Sequence, residues 1–322
     1  MLATLYSNKP ALQGGKADLS AAITRAASKQ TYYTIRFLMD RDRVQDAFRA
    51  YAYFRWVDDL LDDNMGTQEE KRVFINRQRI LLDACYLGEL PADPSPEELM
   101  LVDLVRHDQG KDSGLQTYLR DMMAVVSFDV ERRGRMISQA ELSHYSLLLS
   151  RAVTEYMFYF IGHQDPPPFG ATRYQAVWGA HMVHMLRDMV NDIAVGYYNI
   201  PAKVLEAEHI SLDDLHSQSF REWVYERVQL AHKYIDAGRK YIARVKNLRC
   251  RLAGFSYLAR FEWMLRSIER EQYCLRSEYP ERKSLQACIW MAWRVFSSLV
   301  NIHWIKDDPV ELVVNTDQYE ER

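Results

Sequence analysis

The stretch "YAYFRWVDDLLDD", residues 51–63, sets four aspartates within six positions directly after a run of aromatic and apolar residues. Wound as a helix at about 100° per residue, Tyr51, Arg55, Asp58 and Asp62 fall on one stripe roughly 60° wide. Asp59 and Asp63 sit to its side. A solvated helix end is one reading of this stripe. The other is a pair of carboxylates at i and i+4 that presents oxygen ligands to a hard divalent cation such as Mg²⁺.

A second stretch favours the metal. In "HMVHMLRDMVND", residues 181–192, His181, His184, Asp188 and Asp192 lie within an arc of roughly 80°. Met182, Val183, Met185, Leu186, Met189 and Val190 fill the other faces. A polar stripe along an otherwise apolar helix is costly unless something satisfies it. Two such stripes facing one another across a helical bundle would do so by sharing metal ions.

Aspartates rather than a histidine-rich shell suit Mg²⁺ that keeps waters and is completed by phosphate oxygens. Arg55 and Arg187, each near an aspartate, add fixed positive charge for a diphosphate. The chemistry that fits is diphosphate departure, with metal and arginine stabilising the leaving group. Aromatic faces would stabilise the carbocation left behind, and Tyr32, Tyr33, Phe37, Tyr51, Tyr53, Tyr145, Tyr156 and Phe158 are available. His181 and His184 either serve that site, by binding diphosphate, moving a proton or holding a metal water, or are neutral histidines satisfied inside the bundle. A separate zinc site lacks further nitrogen or sulfur ligands in this region.

The rest of the chain is consistent with a bundle. It has 322 residues, 48% hydrophobic and 26% charged, with a formal net charge of −3, so no basic excess points to nucleic acid. Thirteen glycines and ten prolines are few for this length and favour long helices. Helical periodicity covers 17–29, 43–65, 68–87, 96–108, 114–132, 140–162, 171–196, 218–247, 251–276 and 282–307. The expectation is an all-α single domain over 1–322, of about ten helices around a central cavity, with its core at 20–307. Cys85, Cys250, Cys274 and Cys288 share no metal spacing and read as reduced core thiols of a cytoplasmic protein. The first twenty residues contain no continuous apolar segment of signal-peptide type. "ACIWMAWRVFSSLVNIHW", 287–304, reads as a buried C-terminal helix, with peripheral membrane contact as the alternative.

The two acidic motifs, about 130 residues apart, resemble those of the squalene/phytoene synthase family, which joins two isoprenyl diphosphates head to head within one α-helical bundle. Its first motif, Tyr-x-x-x-Arg-x-x-Asp-Asp-x-x-Asp, is matched at Tyr51, Arg55, Asp58, Asp59 and Asp62. The Arg-Asp pair of its second, with an acid four residues on, is matched at Arg187, Asp188 and Asp192. "SKQTYYTIRFL" (28–38), "FDVERRGRMISQAELSHYSLLL" (128–149) and "YLARFEWMLRSIEREQYCLR" (257–276) are weaker echoes.

The resemblance implies two or three Mg²⁺ or Mn²⁺ ions at Asp58, Asp59, Asp62, Asp188 and Asp192. It implies catalytic roles for Tyr51, Arg55, Tyr145, His181 and His184, and substrate contacts from Tyr32, Arg36, Arg55, Arg187 and Asn191. NADPH use in the family needs no glycine-rich fingerprint, and none is present here.

The chain departs from the family pattern in three places. His181 and His184 replace the usual Gln and Asn. Arg151 and Thr154 take glycine positions, which should reshape the cavity. Tyr197 and Asn199 replace an arginine and a tyrosine. These departures keep open a terpene synthase acting on one diphosphate, and a non-catalytic assembly or lipid-binding relative.

Overall fold

In the computed structural model, residues 16–307 are described apart from 65, 90, 91 and 109, and the side chains of 16–18, 63, 64 and 307 lie outside the description. Among these residues the chain forms thirteen α-helices and no strand. α1 (Lys16–Ala27) and α2 (Lys29–Leu38) pack on α3 (Val44–Asp59), which also meets α5 (Glu98–His107) and α6 (Gly114–Arg132). α4 (Gln68–Tyr86) touches α5 and α6, and α6 pairs with α7 (Gln139–Phe160). α8 (Gln175–Ala194) packs on α7, on α10 (Gln218–Arg244) and on α11 (Leu248–Arg270). α9 (Ala202–Ala207) links α8 to α10, α12 (Leu285–Val300) lies on α11, and α13 (Ile302–Asp307) rests on α10.

The helices begin where the sequence supplies caps. Thr67 with Glu70 and Ser138 with Glu141 form reciprocal capping boxes, while Ser113, Ser217 and Asn247 cap with their side chains alone. Ser28 does the same for α2, where its hydroxyl accepts from the Thr31 N–H. This helix was not expected over 29–38, since three aromatic residues and two threonines there mask its apolar period. α9 is too short to show periodicity, and the segment expected as one helix over 282–307 breaks at Asn301.

Two glycines set the closest crossing in the bundle. A Cβ on Gly238 of α10 would lie 2.3 Å from the Ala176 Cα of α8, and one on Gly179 would lie 2.9 Å from the Tyr234 Cβ. These positions bring α8 and α10 to backbone contact and so fix the placement of the second acidic stripe.

Two expectations need correcting. Of the four cysteines only Cys250 is buried, and Cys288 is exposed. α12 is not buried: Ala287 and Ser298 face inward, but Leu285, Ile289, Trp293, Phe296 and Val300 are each more than half exposed. No described helix is long and apolar enough to cross a membrane.

Candidate active site

α3 buries Ala47, Ala50, Tyr53 and Val57 completely, which delivers Asp58 at its C-terminal end. The helix then widens into a π-turn over Leu60–Asn64. Such turns recur at functional sites. Here it buries Leu61 while keeping Asp62 beside Asp58 on the wall of one cleft. From α8 come His181, His184, Asp188 and Asp192, which line the same cleft. Tyr145 of α7 completes the set of expected residues found there.

The cleft also holds residues that the motifs did not reveal: Lys71, Asp129, Arg132, Tyr197 and Asn199. Arg132 of α6 donates to Asp129 Oδ1 at 2.6 Å and to Asn199 Oδ1 at 2.8 Å, and Asn199 donates in turn to Asp192 Oδ2 at 2.8 Å. The Tyr145 hydroxyl donates to Asp129 Oδ2 at 3.0 Å. The guanidinium lies 5.0 Å from the Tyr145 ring centroid and 4.9 Å from that of Tyr197. One buried cation therefore ties α6, α7 and the segment after α8 to the second acidic stripe. Asn199, a departure from the family pattern, has a defined task in this chain. The cue in the sequence was the Asp129/Arg132 pair at i and i+3 in the last turns of α6.

Crowding sets the electrostatics. Burial, then the charges of Asp62, Asp129 and Asp59, push the Asp58 carboxyl up to about 6 despite Arg55. Burial and Asp188 push Asp192 up to about 6, against the pull of Arg132, His184 and Asn199. Burial also raises Asp129, with Arg132 and Tyr145 opposing. Asp188 behaves differently. Burial alone would raise it, but hydrogen bonds from Arg187 (Nε, 2.7 Å) and His184 outweigh that and hold it well below the usual carboxylate range. The His184 Nε2 lies 3.0 Å from Asp188 Oδ2.

His181 is 5% exposed and packs at a tilt against Tyr145, with 5.3 Å between centroids. Burial, with His184 and Arg132 nearby, pushes its pKa down to about 3, so the ring is neutral. Neither of its nitrogens has a hydrogen-bond partner. A buried, unpartnered imidazole on the wall of a polar cleft points to a group brought by a ligand.

Other expected residues lie at the edge of this cleft or away from it. Arg55 pairs with Asp58 at 3.3 Å and with Asp59. Asn191 donates to the Ser277 carbonyl at 2.8 Å, tying α8 to the segment after α11. Tyr51 is partly buried against the core. Tyr32 packs on Phe48, and Arg36 lines a different hollow with Asp40, His163 and Arg249. That hollow adjoins the start of α3, about 20 Å along the helix from Asp58, so the structure does not bring Arg36 to the aspartates.

Arg151 does not fill the cleft. Its guanidinium forms a two-point pair with Asp121 of α6, with Nη2 at 2.6 Å from Oδ1. The arginine is engaged along α6 and is not among the residues that line this cleft. Thr154 is buried with its hydroxyl unpartnered.

No three His, Cys, Asp or Glu side chains among the described residues converge as a closed metal cage. The donors instead line two walls. That fits Mg²⁺, which commonly takes one or two carboxylates and completes its shell with waters and substrate phosphates.

An all-α bundle with carboxylates of two helices facing a shared polar cleft defines the class of molecule. The squalene/phytoene synthase family model matches residues 24–286, and the chain belongs to that family. It is 27% identical over 201 residues to a presqualene diphosphate synthase of Zymomonas mobilis, covering 61% of this chain and 64% of that protein's length. A crystal structure of a dehydrosqualene synthase in complex with ligand superposes with a TM-score of 0.67 at 14% identity, over 89% of this chain and 97% of the other. At that identity the likeness establishes the fold.

Proposed function

We propose that the chain is a Mg²⁺-dependent prenyltransferase that ionises isoprenyl diphosphates in this cleft and joins two of them head to head. The observation that carries the reading is the meeting of Asp58 and Asp62 with Asp188 and Asp192 across one cleft. Family membership supports it. Mg²⁺, when bound, supplies Lewis-acid stabilisation of the departing diphosphate.

The protein's own residues do the rest. Asp58, Asp62, Asp188 and Asp192 would hold the ions from the two walls. Arg132 fixes Asp129 directly and Asp192 through Asn199, so the donors are set before substrate arrives. Lys71, whose ammonium is anchored on the Leu61 carbonyl, adds positive charge beside Asp62. Tyr145, with its hydroxyl held by Asp129, presents a ring face beside the neutral His181. Coupling needs room for a second chain, and the withdrawal of Arg151 to Asp121 is consistent with that.

One observation favours a second reading. A neutral, unpartnered His181 can accept a proton from a carbocation, as a terpene synthase acting on a single diphosphate requires. Incubation with Mg²⁺ and a panel of prenyl diphosphates, with and without NADPH, followed by mass analysis decides between them. A product with the carbon count of two substrates is expected. One with the carbon count of a single substrate would overturn the coupling.

A further inference from the structure

A second pocket opens on the neighbouring face of α8. Trp178, Met182, Met185, Leu186 and Met189 line it, and Trp223 of α10 stands in its wall. At about 100° per residue, these five α8 positions centre roughly 90° from the stripe of His181, Asp188 and Asp192. Met185 falls between the two faces and, with Asn199, lines both the pocket and the acidic cleft. The indoles are held by packing, as Trp178 stacks on Tyr234 at 5.9 Å and Trp223 on Phe220 at 6.0 Å. Between these fixed walls the methionines supply unbranched, polarisable side chains that adapt to an occupant. Ser143 and Ser146 of α7 add hydroxyls to the lining. An apolar pocket with a few polar groups in its wall has the ordinary make-up of a small-molecule site.

Charge and position select the occupant. The charged residues of the lining are Glu208, Glu226 and Arg227, and the Arg227 guanidinium lies 5.9 Å from the Trp223 ring centroid. Their exposed neighbours in sequence, Lys203, Glu206 and Glu222, add no positive excess. A carboxylate or phosphate head therefore meets no surplus of cations here, whereas an uncharged chain needs none. The adjoining cleft, on the proposed function, takes the diphosphate from isoprenyl chains and leaves uncharged, branched hydrocarbon beside Met185. The choice of an isoprenoid rests on that reading; the preference for an uncharged apolar molecule does not. An occupant also bears on the cleft. Asn199, 3% exposed, accepts from Arg132 at 2.8 Å and donates to Asp192 at 2.8 Å, so a chain in the pocket abuts the residue that sets one carboxylate of the second stripe.

We propose that this pocket is a binding site for an uncharged isoprenoid, an alcohol or a hydrocarbon, set beside the acidic cleft. The test titrates the full chain with geraniol and with decanoate, an anion of equal carbon count, and follows tryptophan fluorescence. Neither metal nor diphosphate is present, so a failure here leaves the reading of the acidic cleft untouched. Saturable quenching by geraniol is expected, with an affinity at least about tenfold above that of decanoate. Val204→Phe, at a partly exposed position of the wall, should weaken geraniol at least about tenfold by filling the pocket. Glu208→Lys with Glu226→Lys should bring decanoate within about threefold of geraniol, whose own affinity stays within about twofold. Bound geraniol should slow hydrogen exchange over 178–189 and 199–208, a readout that needs no variant. Quenching that does not saturate, decanoate that binds the wild type as tightly as geraniol, or protection confined to other segments overturns the proposal. So does unchanged geraniol affinity in folded Val204→Phe.

Discussion

Arg132→Met tests whether one buried cation organises the acidic cleft. The Arg132 side chain is 7% exposed and that of Asp129 29%. The substitution removes charge-assisted hydrogen bonds at 2.6 Å to Asp129 and 2.8 Å to Asn199. At about 1.5 kcal/mol each they sum to about 3 kcal/mol, the lower end of what breaking a buried ion pair costs. For a chain of this length that lowers the melting temperature by about 5 °C. Urea unfolding of wild type, Arg132→Met, Asp129→Asn and the double variant measures the coupling. The double variant carries no uncompensated carboxylate at 129, so it should regain at least about 1 kcal/mol relative to the sum of the singles. Strict additivity of the two losses, with equal m values throughout, would refute the assignment of Arg132 as the partner of Asp129.

The other predictions concern separate parts of the molecule. Asp58→Asn or Asp188→Asn should lower product formation at least about a hundredfold, as loss of several kcal/mol of metal-mediated stabilisation implies; retained turnover in both would remove the metal reading. His181→Leu should stabilise the substrate-free protein by about 1 kcal/mol, because it deletes two unpartnered buried nitrogens, while slowing turnover; a lower melting temperature would show that the ring is satisfied. Gly238→Ala should destabilise by about 3 kcal/mol or more, since its Cβ meets the Ala176 backbone, and a neutral effect would mean that α8 and α10 slide apart freely. Burial alone would raise Asp40, but hydrogen bonds from the His163 side chain, the His163 and Gly162 N–H groups and Arg249 outweigh it and hold the carboxyl at about 2. A depressed pKa stabilises above the unfolded value. Asp40 should therefore contribute about 2 kcal/mol above pH ~4, lost as pH falls towards ~2. The stability gap between wild type and Asp40→Asn should narrow over that window in acid titrations.

The bundle was legible because its long helices carry clean apolar periods and side-chain caps, as in α4 and α7. Both acidic stripes were legible for the same reason, since spacing alone puts Asp188 and Asp192 on one face. The π-turn was not, yet it is what keeps Asp62 in the cleft. Tertiary partners were out of reach too. Nothing in the spacing of Arg132 and Asn199, 67 residues apart, announces the bond between them, and the same holds for the pairing of Arg151 with Asp121. α12 misled because a helix with a high apolar content reads as core, whereas burial depends on which neighbours its faces find.

Charge balance in the cleft argues against a purely structural fate for the acidic motifs. Asp58, Asp62, Asp129, Asp188 and Asp192 crowd one cleft with Lys71, Arg132 and Arg133, and Arg55 and Arg187 pair with Asp58 and Asp188. Burial first, and then the neighbouring carboxylates, push one aspartate of each stripe, Asp58 and Asp192, up to about 6. Apolar side chains of similar volume would relieve that repulsion and often stabilise a fold. A protein serving only as a scaffold would gain from such replacements. One that must bring divalent cations and a diphosphate together needs the crowding, because each bound cation then recovers the free energy that the buried, crowded carboxylates hold in reserve.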